Sequence, residues 1–346
     1  MNNISLYGLT SAEINEKLKL EKKFHGKQIY QWLIRGIYNF DEMTNLSKVL
    51  REKLIKKYKS AISSKVIDTQ IDESGATKLA IELADGAIIE SVMLVDKNDR
   101  KTACLSSQVG CAMGCKFCRT GTMGLIRNLS SAEIIEQFVH LKKLGNITHI
   151  VYMGMGEPLA NFSQVLDSIN FFHREDAFFI SLRRITISTC GVVNGINKLT
   201  EQNLNVKLAV SLVSADNPLR SEIMPINNTY NLQKLKKSLL HYQNKCNSRF
   251  TLEYCMLSGL NCDLNSAKKL ASFTNGLDAV VNLIPWNPAA ELPYKTPSNE
   301  EINQFTSYLD KLNIKYARRF TRGREVNGAC GQLATETRKK NNESNL

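Results

Sequence analysis

The sequence of 346 residues has no uninterrupted apolar run long enough to cross a bilayer, which argues against a helical membrane protein. Its first nine residues lack a basic stretch followed by an apolar one, so no secretory signal is expected and the expected location is cytoplasmic. Nor do the cysteines form the even set of a disulfide framework. There are nine, and three of them fall between positions 111 and 118. Metal or thiol chemistry therefore becomes the question to pursue. Acidic residues are also in deficit: 33 Asp and Glu against 45 Lys and Arg leave a net charge of +12. Such a balance suits a polyanionic partner such as RNA, although it also serves solubility.

Basic residues crowd both ends, from Lys17 to Lys27 and Arg51 to Lys59, and again from Lys315 through Arg318, Arg319 and Arg322 to Arg324. Clustering of this kind favours a binding footprint, while each run alone is also consistent with a solvated helix face. Over residues 11–59 apolar residues recur at helical spacing (Ile29, Trp32, Leu33, Ile37, then Leu46, Val49, Leu50, Leu54), which predicts a small helical bundle. Residues 65–95 change to short alternating runs broken at Ser74-Gly75 and Asp85-Gly86, which are hairpin signals. After Arg100, apolar strands predicted at 147–153, 185–189, 206–212, 250–256 and 279–284 alternate with helices at 132–144, 162–173, 232–242, 264–274 and 299–312. Repeated βα punctuation means a parallel α/β sheet of barrel type, with its chemistry at the carboxyl ends of the strands. The expected division is a helical RNA-binding accessory domain at 1–60, a β-hairpin linker region at 61–98 carrying Glu90, a (βα) core at 99–334 and a frayed polar tail at 335–346.

Cys111, Cys115 and Cys118 are spaced so that one loop can wrap three corners of a [4Fe-4S] cubane, leaving the fourth iron open. An open iron can chelate S-adenosylmethionine and reduce its sulfonium, giving a 5′-deoxyadenosyl radical. Two other readings of the same residues are a structural zinc site with Cys104 as fourth ligand, and three buried thiols without metal. Zinc sites more often present two separated ligand pairs.

Further motifs follow in order: 104–111 (CLSSQVGC), 153–159 (MGMGEPL), 185–189 (ITIST), 224–227 (MPIN), 282–288 (NLIPWNP) and 329–333 (ACGQL). With the cysteine loop they closely resemble the RlmN/Cfr family of radical S-adenosylmethionine methyltransferases over nearly the whole chain. The resemblance implies an α/β fold: a partial (βα) barrel of the radical SAM type with a small N-terminal helical domain and a short β-hairpin segment. It also implies methylation of an adenine carbon in 23S rRNA near the peptidyl transferase centre, with tRNA a second substrate in some members. Pro158 resembles the C2-modifying branch. C8 methylation of the same adenosine, and an RNA-binding paralogue with altered or lost activity, are the alternatives. An electron donor such as flavodoxin or ferredoxin and a monomeric state are expected.

The resemblance assigns roles by matching position. Adenine C2 and C8 have no lone pair for ordinary methyl displacement, so the family methylates a cysteine first, here Cys330, and then turns that methyl group into a carbon radical. Cys104 matches the thiol that resolves the protein–RNA adduct, and Glu90 the proton acceptor. A solvent-facing strand residue is the plain alternative for Glu90, and a packed thiol in a tight turn for Cys330. Gly156, Glu157, Ser188, Ser211 and Asn287 match the cofactor contacts. Three departures stand out: Val213 where histidine is common, residues 323–328 in place of a more acidic segment, and Cys190 where serine is usual. Cys190, Cys246, Cys255 and Cys262 read as buried or incidental thiols.

Overall fold

Helical periodicity in the first sixty residues produces three helices in the computed structural model, which describes residues 4–289, 291–319, 323 and 326–334. Arg322, Arg324 and the tail at 335–346 lie outside the described residues. Helix α1 (Ser11–Leu18) starts at a capping box of Thr10 with Glu13, α2 spans Lys23–Ile34, and Ser47 caps α3 (Lys48–Tyr58). Ile14, Ile29, Leu33 and Leu54 turn inward as their spacing predicts, but Val49 is 77% exposed. It sits in the first turn of α3, about 100° around the helix from Leu50 and about 140° from Leu54, which share a face.

Strands β1 (Lys65–Ile71), β2 (Thr77–Glu82) and β3 (Ile88–Val95) form an antiparallel meander whose turns contain Gly75 at φ 79° and Gly86 at φ 81°. β3 pairs antiparallel with β4 (Lys101–Cys104), joining the meander directly to the rest of the sheet. β5 (Gln108–Cys111) and β6 (Gly124–Asn128), unanticipated from sequence, make a separate two-stranded ribbon. The βα units follow: α4 (Ser131–Lys142), β7 (Ile147–Tyr152), α5 (Phe162–His173), β8 (Ile185–Thr189), α6 (Val193–Gln202) and β9 (Lys207–Ser211). Then come the short helices α7 (Asn217–Ile223) and α8 (Ile226–Thr229), α9 (Leu232–Cys246), β10 (Phe250–Met256), α10 (Leu264–Thr274), β11 (Ala279–Pro285), α11 (Asn299–Lys311) and β12 (Tyr316–Arg318).

One ten-stranded sheet runs β1-β2-β3-β4-β7-β8-β9-β10-β11-β12, parallel from β4 onward. No pairing joins its two edges among the described residues, so the barrel is open. The apolar core is continuous from Leu6 and Ile14 in the helical segment to Phe305 in α11. A buried clamp reinforces that continuity: the Glu136 carboxylate on α4 accepts from the backbone N–H groups of Ser63 and Ser64, each at 2.9 Å. No helix of the described residues is long and apolar enough to cross a membrane.

Candidate active site

The cysteine loop leaves β5 at Cys111 and is pinned on two sides. Lys116 N donates to Ile223 O (2.9 Å), and the indole of Trp286 donates to Phe117 O (2.9 Å). Cys111, Cys115 and Cys118 line one cavity of about 170 Å³ together with Gly156, Glu157, Ser188, Ser211 and Asn287. Burial pushes the Cys111 thiol up to about 12 and raises those of Cys115 and Cys118, so without a metal all three stay protonated. Among the described residues no three His, Cys, Asp or Glu side chains converge on a single ion position, as tetrahedral zinc requires. Cys104, the fourth ligand of the zinc reading, lines a different cavity. Three soft donors on one loop that line one cavity suit the corners of a cubane, where each thiolate takes its own iron.

The other cofactor candidates lie at the carboxyl ends of β7, β8, β9 and β11. Gly156 has φ 97°, and a Cβ there would lie 2.5 Å from the Gln108 side chain, so this loop requires glycine. Gln108 Oε1 in turn accepts from Glu157 N (2.8 Å). Glu157 is buried, and its carboxylate accepts from Leu159 N (3.0 Å) and Cys190 N (2.7 Å). Burial raises its carboxyl above the usual range, and no cation pairs with it among the described residues. A buried carboxylate in this state is suited to a ligand ammonium group.

Cys330 stands at the junction of two spaces. It lines the cysteine cavity and also a second, half-open one of about 440 Å³, which contains Cys104, Thr102, Val151 and Thr186. Its loop is held through backbone groups: Asn287 Nδ2 donates to Cys330 O (3.1 Å), Arg119 N to Gly331 O (2.9 Å) and Thr120 Oγ1 to Leu333 O (2.6 Å). The thiol is thus exposed on a fixed frame. Cys104, by contrast, is buried, and burial pushes its thiol up to about 12.

Glu90 is only 2% exposed, so the solvent-facing reading does not hold. Its Oε1 lies 3.3 Å from the ammonium of Lys78, itself 3% exposed, and its Oε2 accepts from Ala334 N (2.9 Å). The carboxylate therefore ties the Cys330 segment to the meander, and it is not part of the wall of either cavity.

Glu253 and Asn261 did not stand out in the sequence, and Arg319 did so only as one member of the C-terminal basic run. Arg319 lines both cavities, and its charge is reinforced first by the Cys330 thiol, then by Glu253 and Cys104. Glu253 Oε2 is buried with no hydrogen-bond partner among the described residues, and Arg319 Nη1 is 3.8 Å away. Glu253 is in the middle of β10 and Arg319 directly follows β12; a single charged residue in or beside a strand is a signal too common to single out. Asn261 clamps the strained residue. Val213 has φ 58°, unfavourable for a β-branched side chain, and its carbonyl accepts from Asn261 Nδ2 (2.8 Å). Asn261 also donates to Cys255 O (2.8 Å) and accepts from Leu257 N (2.7 Å). Asn261→Ala is expected to lower stability by about 2–4 kcal/mol in denaturant titration, because it orphans buried backbone groups. A loss below about 0.5 kcal/mol would show that water replaces the clamp. Val213 is buried in an apolar cluster that includes Met224 and Cys190.

Residues 105–263 match the Radical SAM superfamily, and residues 4–59 match the ribosomal RNA large subunit methyltransferase N-terminal domain. The chain is 44% identical over 338 residues to the probable dual-specificity RNA methyltransferase RlmN of Treponema denticola, covering 97% of each. It is 38% identical over 347 residues to the dual-specificity RNA methyltransferase RlmN of Nitratiruptor sp., covering 95% of this chain and 97% of that one. The crystal structure of a radical SAM methyltransferase from Sphaerobacter thermophilus matches with a TM-score of 0.90 at 36% identity, covering 96% of this chain and 100% of that one. With its cysteine loop facing a cofactor-sized cavity in an open βα barrel, the chain belongs to the RlmN family of radical SAM RNA methyltransferases.

Proposed function

We propose that this enzyme methylates carbon C2 of an adenosine in 23S rRNA, with tRNA as a second substrate, through a methyl group carried on Cys330. The observation that supports this most is the place of Cys330 on the walls of both cavities. A carbon atom bound to its sulfur can meet a radical formed on one side and a base presented on the other.

Cys111, Cys115 and Cys118 would hold a [4Fe-4S] cluster, and Glu157, Ser188, Ser211, Asn287 and the Gly156 loop would hold S-adenosylmethionine. Bound there, the pair supplies a radical able to remove hydrogen from a methyl group at the pocket wall. The chain's own part is positioning and thiol chemistry. Asn287 and Thr120 keep the Cys330 loop in place by its backbone, leaving the sulfur free to carry carbon. Cys104, as the thiolate, resolves the adduct by attacking the Cys330 sulfur: the sulfur–sulfur bond forms as the sulfur–carbon bond breaks, and the freed carbon takes a proton to become the methyl group of the released base. Because burial keeps the Cys104 thiol protonated, the Arg319 guanidinium nearby is what favours its thiolate. Glu90, whose Oε1 lies 3.3 Å from Lys78 Nζ, accepts the proton from the adduct once the Ala334 contact opens. The helices at 1–60, with exposed Lys53, Lys56 and Lys57, grip folded RNA through phosphates. A flavodoxin or ferredoxin supplies electrons, and the enzyme acts as a cytoplasmic monomer.

The deciding experiment is reconstitution with iron and sulfide under anaerobic conditions, then reaction with labelled S-adenosylmethionine, reductant and 23S rRNA. The nucleosides are separated against 2-methyladenosine and 8-methyladenosine. The 2-methyl product is expected; the 8-methyl product would overturn the target carbon and keep the relay. Glu90→Gln is expected to lower product formation by about 10²–10⁴-fold while the cysteine methyl group still forms. Activity within about threefold of wild type would reduce Glu90 to an anchor of its loop.

A further inference from the structure

The larger cavity has a floor and a mouth of different chemistry. Its floor is formed by Cys104, Met153 and Cys330, while its mouth is at the opposite, amino-terminal ends of the parallel strands. His149 on β7, Arg184 just before β8 and Lys207 at the start of β9 gather there. Arg318, the last residue of β12, also lines the cavity while donating to Asn303 Oδ1 on α11 (3.3 Å), and Lys97 in the β3–β4 turn completes the rim. Register places them on adjoining strands: His149 is level with Thr102 on β4, and Lys207 with Thr186 on β8. All four Arg and Lys side chains are exposed. Among the described residues none of the four is in an ion pair; at the same mouth only Arg100 has a carboxylate, Asp96 at 2.8 Å. Burial and the cations of Arg100, Arg184 and Lys207 lower His149 below its usual value, consistent with their fields converging on the cavity.

We propose that RNA enters through this amino-terminal mouth of the open barrel, with backbone phosphates beside the flipped adenosine held by Arg184, Lys207 and Arg318. The proposal rests on the RNA-methylating function above and adds the route and the phosphate contacts. Three features support it. The carboxyl-end side of Cys330 is taken up by the cysteine loop and the cofactor pocket, so a substrate arriving from the mouth reaches the sulfur without crossing them. Alternating lining residues on β7 and just past its end (His149, Val151, then Met153) make the passage roughly 13 Å deep at about 3.3 Å per residue, room for one extended nucleotide with its phosphate at the rim. The wall between rim and floor is Thr102, Val151 and Thr186, small or apolar side chains that carry no charge to repel a base. A rim where Lys97, Arg100, Arg184, Lys207 and Arg318 outnumber the carboxylate of Asp96, with an uncharged wall behind it, suits a polyanion that inserts one base.

The test is the Arg184→Gln/Lys207→Gln variant of the full chain, loaded with its cluster, with Arg318→Gln as a second and milder variant. RNA binding is measured over a salt series, and methylation as kcat/KM for RNA. Iron content and the thermal midpoint check that the barrel is intact. The double variant is expected to reduce the slope of log Kd against log salt by about 1.5, which corresponds to two lost phosphate contacts, and to lower kcat/KM for RNA by about 10–100-fold. An unchanged slope and kcat/KM in both variants, with wild type active, would overturn the route while leaving the function standing. If wild type binds RNA but yields no methylated adenosine, the functional reading fails; the salt slopes of the two variants still decide whether phosphates sit at this mouth. Should the double variant lose iron or its melting transition, Arg318→Gln decides alone: a slope reduced by about 0.7 supports the mouth, and no reduction overturns it.

Discussion

Replacing Cys330 with alanine is expected to abolish RNA methylation, by on the order of 10³-fold or more, while cleavage of S-adenosylmethionine continues. The sulfur is the only atom of that side chain able to carry a carbon between the two cavities. Its loop is held by Asn287, Arg119 and Thr120 acting on main-chain atoms, so the substitution removes the carrier without releasing the frame. Cluster absorbance and the thermal midpoint should therefore stay near wild type. Labelled nucleoside analysis and 5′-deoxyadenosine formation measure the two halves separately. Methylated adenosine at more than a tenth of the wild-type rate would mean that methyl transfer does not pass through this cysteine.

Cys104→Ala should give a different failure. If Cys104 resolves the adduct, its loss stalls the reaction after carbon–carbon bond formation, and protein should accumulate covalently joined to RNA. Such a species migrates slowly in denaturing gels and collapses to protein size on nuclease treatment. Turnover is expected to fall at least about 10²-fold. The burial of Cys104 has a structural cost as well, about 1 kcal/mol for a thiol lost from a packed site. Arg319→Gln separates the two contributions, since it leaves the thiol in place and removes the cation that favours the thiolate. It should slow resolution and enrich the same adduct to a smaller extent. Product formed at the wild-type rate by Cys104→Ala, with no adduct, would assign resolution to another thiol.

Some of this architecture is legible locally. Strands β8 and β10 and helices α5 and α10 fall at the expected bounds: β8 buries alternate residues, and α10 starts at an Asp263 cap and stops at Asn275. The β5–β6 ribbon and β12 are short and carry little periodic signal of their own; pairing with distant segments defines them. The cysteine loop was visible because its three cysteines lie within eight residues, where spacing alone restricts the geometry. Cys330 and Cys104 stood out only through the matching motifs around them.

Side-chain order along the chain and strand alternation determined the βα repeat, the three-thiol loop and the excess of positive charge. Tertiary packing decided the rest. Long-range pairing turned Glu90 from a strand residue of ambiguous face into a buried partner of Lys78 and Ala334, more than two hundred residues away. It placed Cys330 between two cavities and separated Cys104 from the other thiols. It also gathered Arg184, Lys207 and Arg318, which are scattered in sequence, around one mouth. The physical reason is that a parallel sheet aligns residues through hydrogen-bonded register between strands that are distant in the chain. No local period records which strand ends become neighbours.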